Sequence, residues 1–202
     1  MKGLQNSGKK IFMDYDNPPS HIMYFSNLCS RRNSEFKTLD FSPFDVVYGH
    51  FPIVRYDAGP DQIVLLLRDP AERVISHYYY FKDIVPSDNL LVLARSPEIL
   101  DIKSGKLGLL DFVEKLRLAS FYRRYLRLTD TRTYRLVGFT DEIGRFSERL
   151  QTETGIDLGH LGHERANPDK PAADDLTDIR RMLSEEIDWY LAQREIWLSR
   201  ER

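Results

Sequence analysis

Arg68 and Ser76 are the residues whose types and spacing point most directly to chemistry. Arg68 follows the apolar run Ile63–Leu67, and Ser76 lies eight residues after Arg68. A guanidinium forms bidentate, charge-assisted hydrogen bonds with phosphate oxygens, and a serine hydroxyl adds a further donor. If a helix separates them, seven helical residues span about 10 Å. The long Arg68 side chain and the Ser76 hydroxyl can converge on one phosphate if it lies beside the first turns of that helix. Alternatively, Arg68 pairs with Asp69 or Glu72, and Ser76 is an ordinary helix residue.

The segment around these two residues predicts a strand, a tight turn and a helix. Ile63–Leu67 is apolar at every position, which is typical of a central parallel strand that is covered on both faces. Asp69 is a favourable N-cap and Pro70 suits the first helical position, so we expect a helix from Pro70 to about Lys82. Ligands bind outside the carboxyl ends of such strands, where helix N-termini supply N–H donors. The sequence therefore predicts a phosphate site here.

His50 is the candidate general base. The β-favouring residues Val46–Tyr48 predict a short strand, and Gly49 and His50 follow it directly. A neutral imidazole has a pKa near neutrality, so it can take a proton from an attacking hydroxyl. The alternative is a histidine that only satisfies backbone groups at the end of the strand.

The remaining pattern alternates strands and helices, which predicts an α/β fold with a parallel sheet. We expect strands at Ile11–Met13 and Tyr134–Val137, the latter ended by Gly138, and loops at Pro86–Gly108 and Gly159–Ala173. We expect helices over Leu109–Leu128, from Thr140 or Asp141 to Gly155, and from about Asp174. The last helix carries an apolar stripe of Ile179, Met182, Leu183, Ile187, Tyr190 and Leu191.

Composition and charge argue against several classes of protein, including nucleic-acid-binding and membrane-spanning proteins. The formal net charge is −2, from 29 basic and 31 acidic residues, which argues against nucleic acid as a partner. No apolar run approaches the roughly 20 residues of a membrane span, and no signal peptide is recognisable, so we expect a cytoplasmic protein. A lone cysteine, Cys29, excludes an internal disulfide and agrees with a reducing compartment. His160 and His163 lack an accompanying carboxylate motif, so we expect no metal.

The segment Arg68–Phe81 resembles the 3′-phosphate-binding motif of sulfotransferases, which use 3′-phosphoadenosine-5′-phosphosulfate (PAPS). The resemblance implies that Arg68 and Ser76 hold the 3′-phosphate of PAPS. Val46–Pro52 resembles the short strand of this family that ends in the general base, which implies that role for His50. The resemblance further implies one domain over residues 1–202 with a three-layer, P-loop-like fold, in which helices flank a central parallel sheet.

Two segments of the C-terminal half are similar to the carbohydrate-directed branch of the family. Leu136–Glu142 resembles a strand-to-helix junction of that branch, and His163–Pro171 resembles its late asparagine-containing loop. This implies a carbohydrate hydroxyl as acceptor, and it makes Arg165 and Lys170 candidate nucleotide-binding residues. The alternative is that these two residues are solvated loop charges.

The sequence departs from the family at its 5′-phosphosulfate loop, a lysine- and glycine-rich turn between a strand and a helix. Asn6–Lys10 contains the right residue types in a different order, without an apolar strand before it. We therefore expect this chain to lack the first strand and the loop. That expectation leaves three explanations open. The chain is a truncated or mis-started form of an active enzyme, it is an inactive, sulfotransferase-like protein that binds a nucleotide or a partner, or another segment replaces the loop. A kinase is disfavoured because no Gly-x-x-x-x-Gly-Lys-Ser/Thr motif is present.

Overall fold

The strands form two parallel pairs within a mixed α/β, mostly helical structure. The computed structural model describes residues 10–14, 42–49, 53, 56–84, 98–115, 118–127, 129–158 and 173–200. Strand β1 (Ile11–Asp14) pairs with β2 (Val46–Gly49), with Ile11 opposite Val46. Strand β3 (Val64–Leu67) pairs with β4 (Leu136–Phe139), with Val64 opposite Leu136.

Helices pack around these strands. They are α1 (Pro70–Tyr79), α2 (Glu98–Lys103), α3 (Leu109–Lys115), α4 (Phe121–Leu126), α5 (Ile143–Thr154), α6 (Ala173–Met182) and α7 (Ser184–Ser199). Helix α1 continues into a π-helical turn at Tyr80–Ile84. Short 3₁₀ turns occupy Pro60–Gln62, Leu118–Ser120, Thr131–Thr133 and Thr140–Glu142. None of the described helices has the length and apolar character needed to cross a membrane.

Among the residues that the structure describes, two apolar clusters hold the elements together. The first core lies between α1, α2, α3 and α6, and includes Ala71, Val74, Ile99, Phe112, Val113 and Ile179. The second core surrounds β4 and includes Leu67, Tyr122, Leu136, Phe139, Phe146, Tyr190 and Trp197. Ile11 and Val46 pack against the second core, so the β1–β2 pair shares it with the β3–β4 pair.

The predicted strand–turn–helix is confirmed. The strand ends at Leu67 and α1 begins at Pro70, with the Asp69 side chain accepting hydrogen bonds from two N–H groups of the first turn. The expected end of α5 at Gly155 is also confirmed, since this residue adopts a left-handed conformation (φ 70°).

The prediction that β3 is covered on both faces is wrong. Leu66 is 44% exposed, whereas every residue of β4 is buried. Strand β4 is the more buried of the pair because Phe146 of α5 packs on it and the Tyr190 ring of α7 meets Phe139 at 5.6 Å. Apolar side chains at successive positions therefore did not identify the more buried strand of the pair.

Gly138 does not end its strand, as the sequence had predicted, but lies inside β4. A Cβ atom at this position would lie 2.0 Å from Cδ2 of Phe146. The glycine is needed here because the ring of Phe146 occupies the space of a side chain.

Two helices predicted to be continuous are broken, and the loop predicted over Pro86–Gly108 contains α2. The segment Leu109–Leu128 divides into α3, a 3₁₀ turn and α4, and the last helix divides at Leu183. Each break lets one helix pack in the first core while its successor packs in the second core.

The buried stripe of α6 and α7 also differs from its prediction. Leu191 is 52% exposed, while Glu186 and Gln193 are buried. The buried positions follow a spacing of three and four residues: Ile179, Leu183, Glu186, Tyr190, Gln193 and Trp197. The prediction was therefore right for Ile179, Leu183 and Tyr190, and it missed Glu186 and Gln193 because they are polar.

Candidate functional site

Arg68 lies at the carboxyl end of β3, as predicted, and its backbone is held there by Tyr122 of α4. The Tyr122 hydroxyl accepts a hydrogen bond from the Arg68 N–H (3.0 Å) and donates one to the Arg68 carbonyl oxygen (2.5 Å). The Arg68 side chain is 40% exposed, so it reaches solvent from a backbone anchored in the protein.

The N–H groups in the first turn of α1 already donate hydrogen bonds to the N-cap residue, Asp69. Oδ1 of Asp69 accepts hydrogen bonds from the N–H groups of Ala71 (2.9 Å) and Glu72 (3.0 Å), and the Asp69 carbonyl accepts one from Arg73. The sequence had suggested that these first-turn donors serve a ligand. Because Asp69 already binds these donors, the end of the helix can attract an anion only through its partial positive charge.

Glu72 and Ser76 lie four residues apart on α1, and Arg68 precedes the helix by two residues at the end of β3. Nε of Arg68 lies 3.7 Å from Oε2 of Glu72, whose side chain is 62% exposed. This is the ion pair that the alternative interpretation of the sequence predicted. No hydrogen bond joins the side chains of Arg68 and Ser76, both described residues. Exposed ion pairs such as Arg68–Glu72 contribute only about 0–1 kcal/mol.

A second cation approaches this end of α1 from α6. Nη2 of Arg180 lies 3.6 Å from Oδ2 of the capping Asp69, and its side chain is 49% exposed. Arg180 is therefore an accessible positive charge beside the residue that follows Arg68.

Arg73, also on α1, connects this helix to α4 and α7. Its guanidinium lies 3.6 Å above the Phe121 ring, and its Nη2 lies 3.5 Å from Oε2 of Glu186. The Glu186 side chain is 1% exposed, and its other oxygen accepts a hydrogen bond from the N–H of Arg123 (3.2 Å). This ion pair joins α1, α4 and α7. Removing one partner of a buried pair typically costs about 3–5 kcal/mol, so we assign it to the framework of the site.

The carboxyl end of β4 carries a separate polar group. Arg194 of α7 donates to Asp141 (2.9 Å) and Glu142 (2.8 Å), which follow the strand. Burial, together with the nearby Asp141 carboxylate, raises the pKa of Tyr190 to about 12. The Tyr190 hydroxyl is therefore protonated at neutral pH.

Three of the predicted site residues lie outside the described part of the chain: His50, Arg165 and Lys170. His50 follows Gly49, the last residue of β2, directly in the sequence. Cys29, His160 and His163 lie outside it as well. Among the residues that the structure describes, no group of three or more His, Cys, Asp and Glu side chains is placed to hold a metal ion.

Sequence reasoning missed three residues of this site: Tyr122, Arg180 and Glu186. Tyr122 and Arg68 are 54 residues apart in the sequence, and no local sequence pattern predicts a contact between them. Glu186 had a usable signal, because it continues the stripe of Ile179 and Leu183 at helical spacing.

Comparison of the chain with protein-family models, curated proteins and solved structures gives no match.

Proposed function

We propose that the chain is a PAPS-dependent sulfotransferase that transfers a sulfuryl group to a hydroxyl of a carbohydrate. The observation that carries this proposal is the position of Arg68. Its backbone is fixed at the carboxyl end of β3, while its side chain is 40% exposed and its guanidinium lies beside Glu72, one helical turn before Ser76. The arrangement agrees with the resemblance of Arg68–Phe81 to a 3′-phosphate-binding motif.

The 3′-phosphate fits this position if it replaces Glu72 as the partner of Arg68. A phosphate presents more oxygens than a carboxylate, and a guanidinium binds two of them with good geometry. The Ser76 hydroxyl, one helical turn beyond Glu72, then donates to a third oxygen. The partial positive charge at the start of α1 favours the same anion.

His50 is the proposed general base. It accepts the proton of the acceptor hydroxyl while that oxygen forms a bond to sulfur. The bond between sulfur and the 5′-phosphate oxygen of PAPS breaks in line, and adenosine 3′,5′-bisphosphate leaves with the electron pair. The sulfate ester and the protonated histidine complete the balance, and the reaction requires no metal. Arg165 and Lys170 are proposed to contact the nucleotide.

The finer description of the fold belongs to the same proposal. A three-layer, P-loop-like domain over residues 1–202 would have the β3–β4 pair as part of its central sheet, with α1 and α5 next to it. A cytoplasmic location is proposed from the lone cysteine.

The test is transfer of labelled sulfate from PAPS to a panel of oligosaccharides. We expect transfer with the wild-type chain, a loss of about 10²–10⁴-fold with His50→Ala, and little change with the control His160→Ala. Binding of adenosine 3′,5′-bisphosphate should be the same for all three proteins. An unchanged rate with His50→Ala would remove His50 from the mechanism.

The alternative is a nucleotide-binding protein without turnover, motivated by Asn6–Lys10, which has the residue types of the 5′-phosphosulfate loop in a different order. It predicts that adenosine 3′,5′-bisphosphate binds in a manner that depends on Arg68, while no acceptor receives sulfate. Transfer by this 202-residue chain would eliminate that alternative.

A further inference from the structure

The phenol of Tyr122 makes an unusual pair of contacts, since it binds both backbone groups of a single residue. Its oxygen lies 3.0 Å from the Arg68 nitrogen and 2.5 Å from the Arg68 carbonyl oxygen. The pairing of β3 with β4 ends one residue earlier, at Leu67 opposite Phe139. Tyr122 thus extends the fixed part of the chain by the one residue that carries the candidate anion-binding side chain.

Tyr122 is itself rigidly placed. It is 5% exposed, its ring lies 5.4 Å from the ring of Trp189, and the guanidinium of Arg73 lies 5.1 Å from its centre. Burial raises the pKa of the Tyr122 hydroxyl above its usual value, although the Arg73 cation opposes the shift. The group therefore remains protonated at neutral pH and acts as donor and acceptor at once.

Two hydrogen bonds on either side of one Cα atom restrict both of its backbone dihedral angles. They thereby fix the direction in which the Arg68 side chain leaves the backbone. A binding residue held in its productive orientation before the ligand arrives loses less conformational freedom on binding.

We propose that Tyr122 is a positioning residue that orients Arg68 for binding an anion such as the 3′-phosphate of a nucleotide. The inference rests on the proposed function, in which Arg68 is the phosphate ligand. Tyr122 touches no ligand itself, and it acts through the backbone of Arg68.

The test is Tyr122→Phe, which removes the hydroxyl and keeps the ring. We expect it to weaken the binding of adenosine 3′,5′-bisphosphate by about tenfold, because the Arg68 backbone is then no longer fixed in advance and must be ordered when the nucleotide binds. Tyr134→Phe is the matched control, because Tyr134 is also buried and its hydroxyl bonds to Thr129 (2.6 Å), away from Arg68. We expect this control to lower the melting temperature similarly and to leave affinity unchanged.

Repeating the substitution in an Arg68→Ala background separates positioning from general destabilisation. If Tyr122 acts through Arg68, Tyr122→Phe has no further effect on affinity in that background. An equal loss of affinity in both backgrounds, or none in either, overturns the inference. If Arg68→Ala alone leaves affinity unchanged, the proposed phosphate site is wrong, and the two failures are thereby distinguished.

A measurement on the wild-type protein covers the case in which Tyr122→Phe does not fold. The inference requires the Arg68 backbone to be fixed before the nucleotide binds. We expect slow hydrogen exchange of the Arg68 amide without nucleotide, comparable to that of the Leu67 amide. Exchange as fast as that of an exposed loop amide would contradict it.

Discussion

Nε of Arg68 lies 3.7 Å from Oε2 of Glu72, the residue one turn before Ser76 on α1. If Arg68 binds the proposed phosphate, Glu72 competes with that phosphate for the guanidinium and repels it. The ion pair and the proposed anion site are therefore competing states of the same arginine.

Glu72→Gln should strengthen the binding of adenosine 3′,5′-bisphosphate by up to about fivefold, since exposed pairs of this kind contribute less than about 1 kcal/mol. The same substitution should lower stability by about 0.3–1 kcal/mol, because it removes a negative charge from the first turn of α1. Affinity is measured by calorimetry and stability by denaturant unfolding.

The control for this prediction is Glu148→Gln, which removes an exposed carboxylate from α5, away from Arg68. It should leave affinity unchanged. Weaker binding by Glu72→Gln would mean that the carboxylate supports the site and does not compete with the anion.

Ser76→Ala should weaken nucleotide binding by about 10- to 150-fold, because a hydroxyl that donates to a charged oxygen contributes about 1.5–3 kcal/mol. Its melting temperature should stay the same or rise slightly, since alanine favours the helix more than serine does. Ser147→Ala is the matched control, because Ser147 is a partly buried helix residue of α5. Equal affinities of the two variants would remove Ser76 from the site.

Gly138→Ala should destabilise the protein by about 1–3 kcal/mol or more, because the added Cβ would lie 2.0 Å from Phe146 in the second core. Gly144→Ala, six residues later in α5, meets nothing within 4 Å and should stabilise the helix by up to about 1 kcal/mol. Thermal or urea unfolding distinguishes these opposite signs. A neutral Gly138→Ala would contradict the packing of α5 on β4.

The sequence was sufficient for the parts of the site that depend on local physics. The N-cap of Asp69, the start of α1 at Pro70 and the position of Arg68 after a strand follow from residues that are neighbours in the chain. Such features depend on capping geometry and on the fixed dihedral angle of proline, which tertiary contacts do not alter here.

Long-range contacts were not predictable in the same way. Tyr122 was expected on an uninterrupted helix, and nothing near it in the sequence indicates a bond to Arg68. The choice of β4 as the more buried strand depends on Phe146 and Gly138, which become neighbours only in the fold. Glu186 was missed because an acidic residue is normally predicted to be exposed, and its partner Arg73 is distant in the sequence.

The most direct test of the phosphate site is a comparison of two nucleotides with two arginine variants. Adenosine 3′,5′-bisphosphate and adenosine 5′-monophosphate differ only in the 3′-phosphate. Arg181→Ala serves as the control for Arg68→Ala, because Arg181 is 78% exposed and pairs with Asp178 on α6. We predict that the wild type and Arg181→Ala prefer the bisphosphate at least about tenfold, and that Arg68→Ala abolishes this preference. If Arg68→Ala retains the full preference, Arg68 does not bind the 3′-phosphate and the proposed site is wrong.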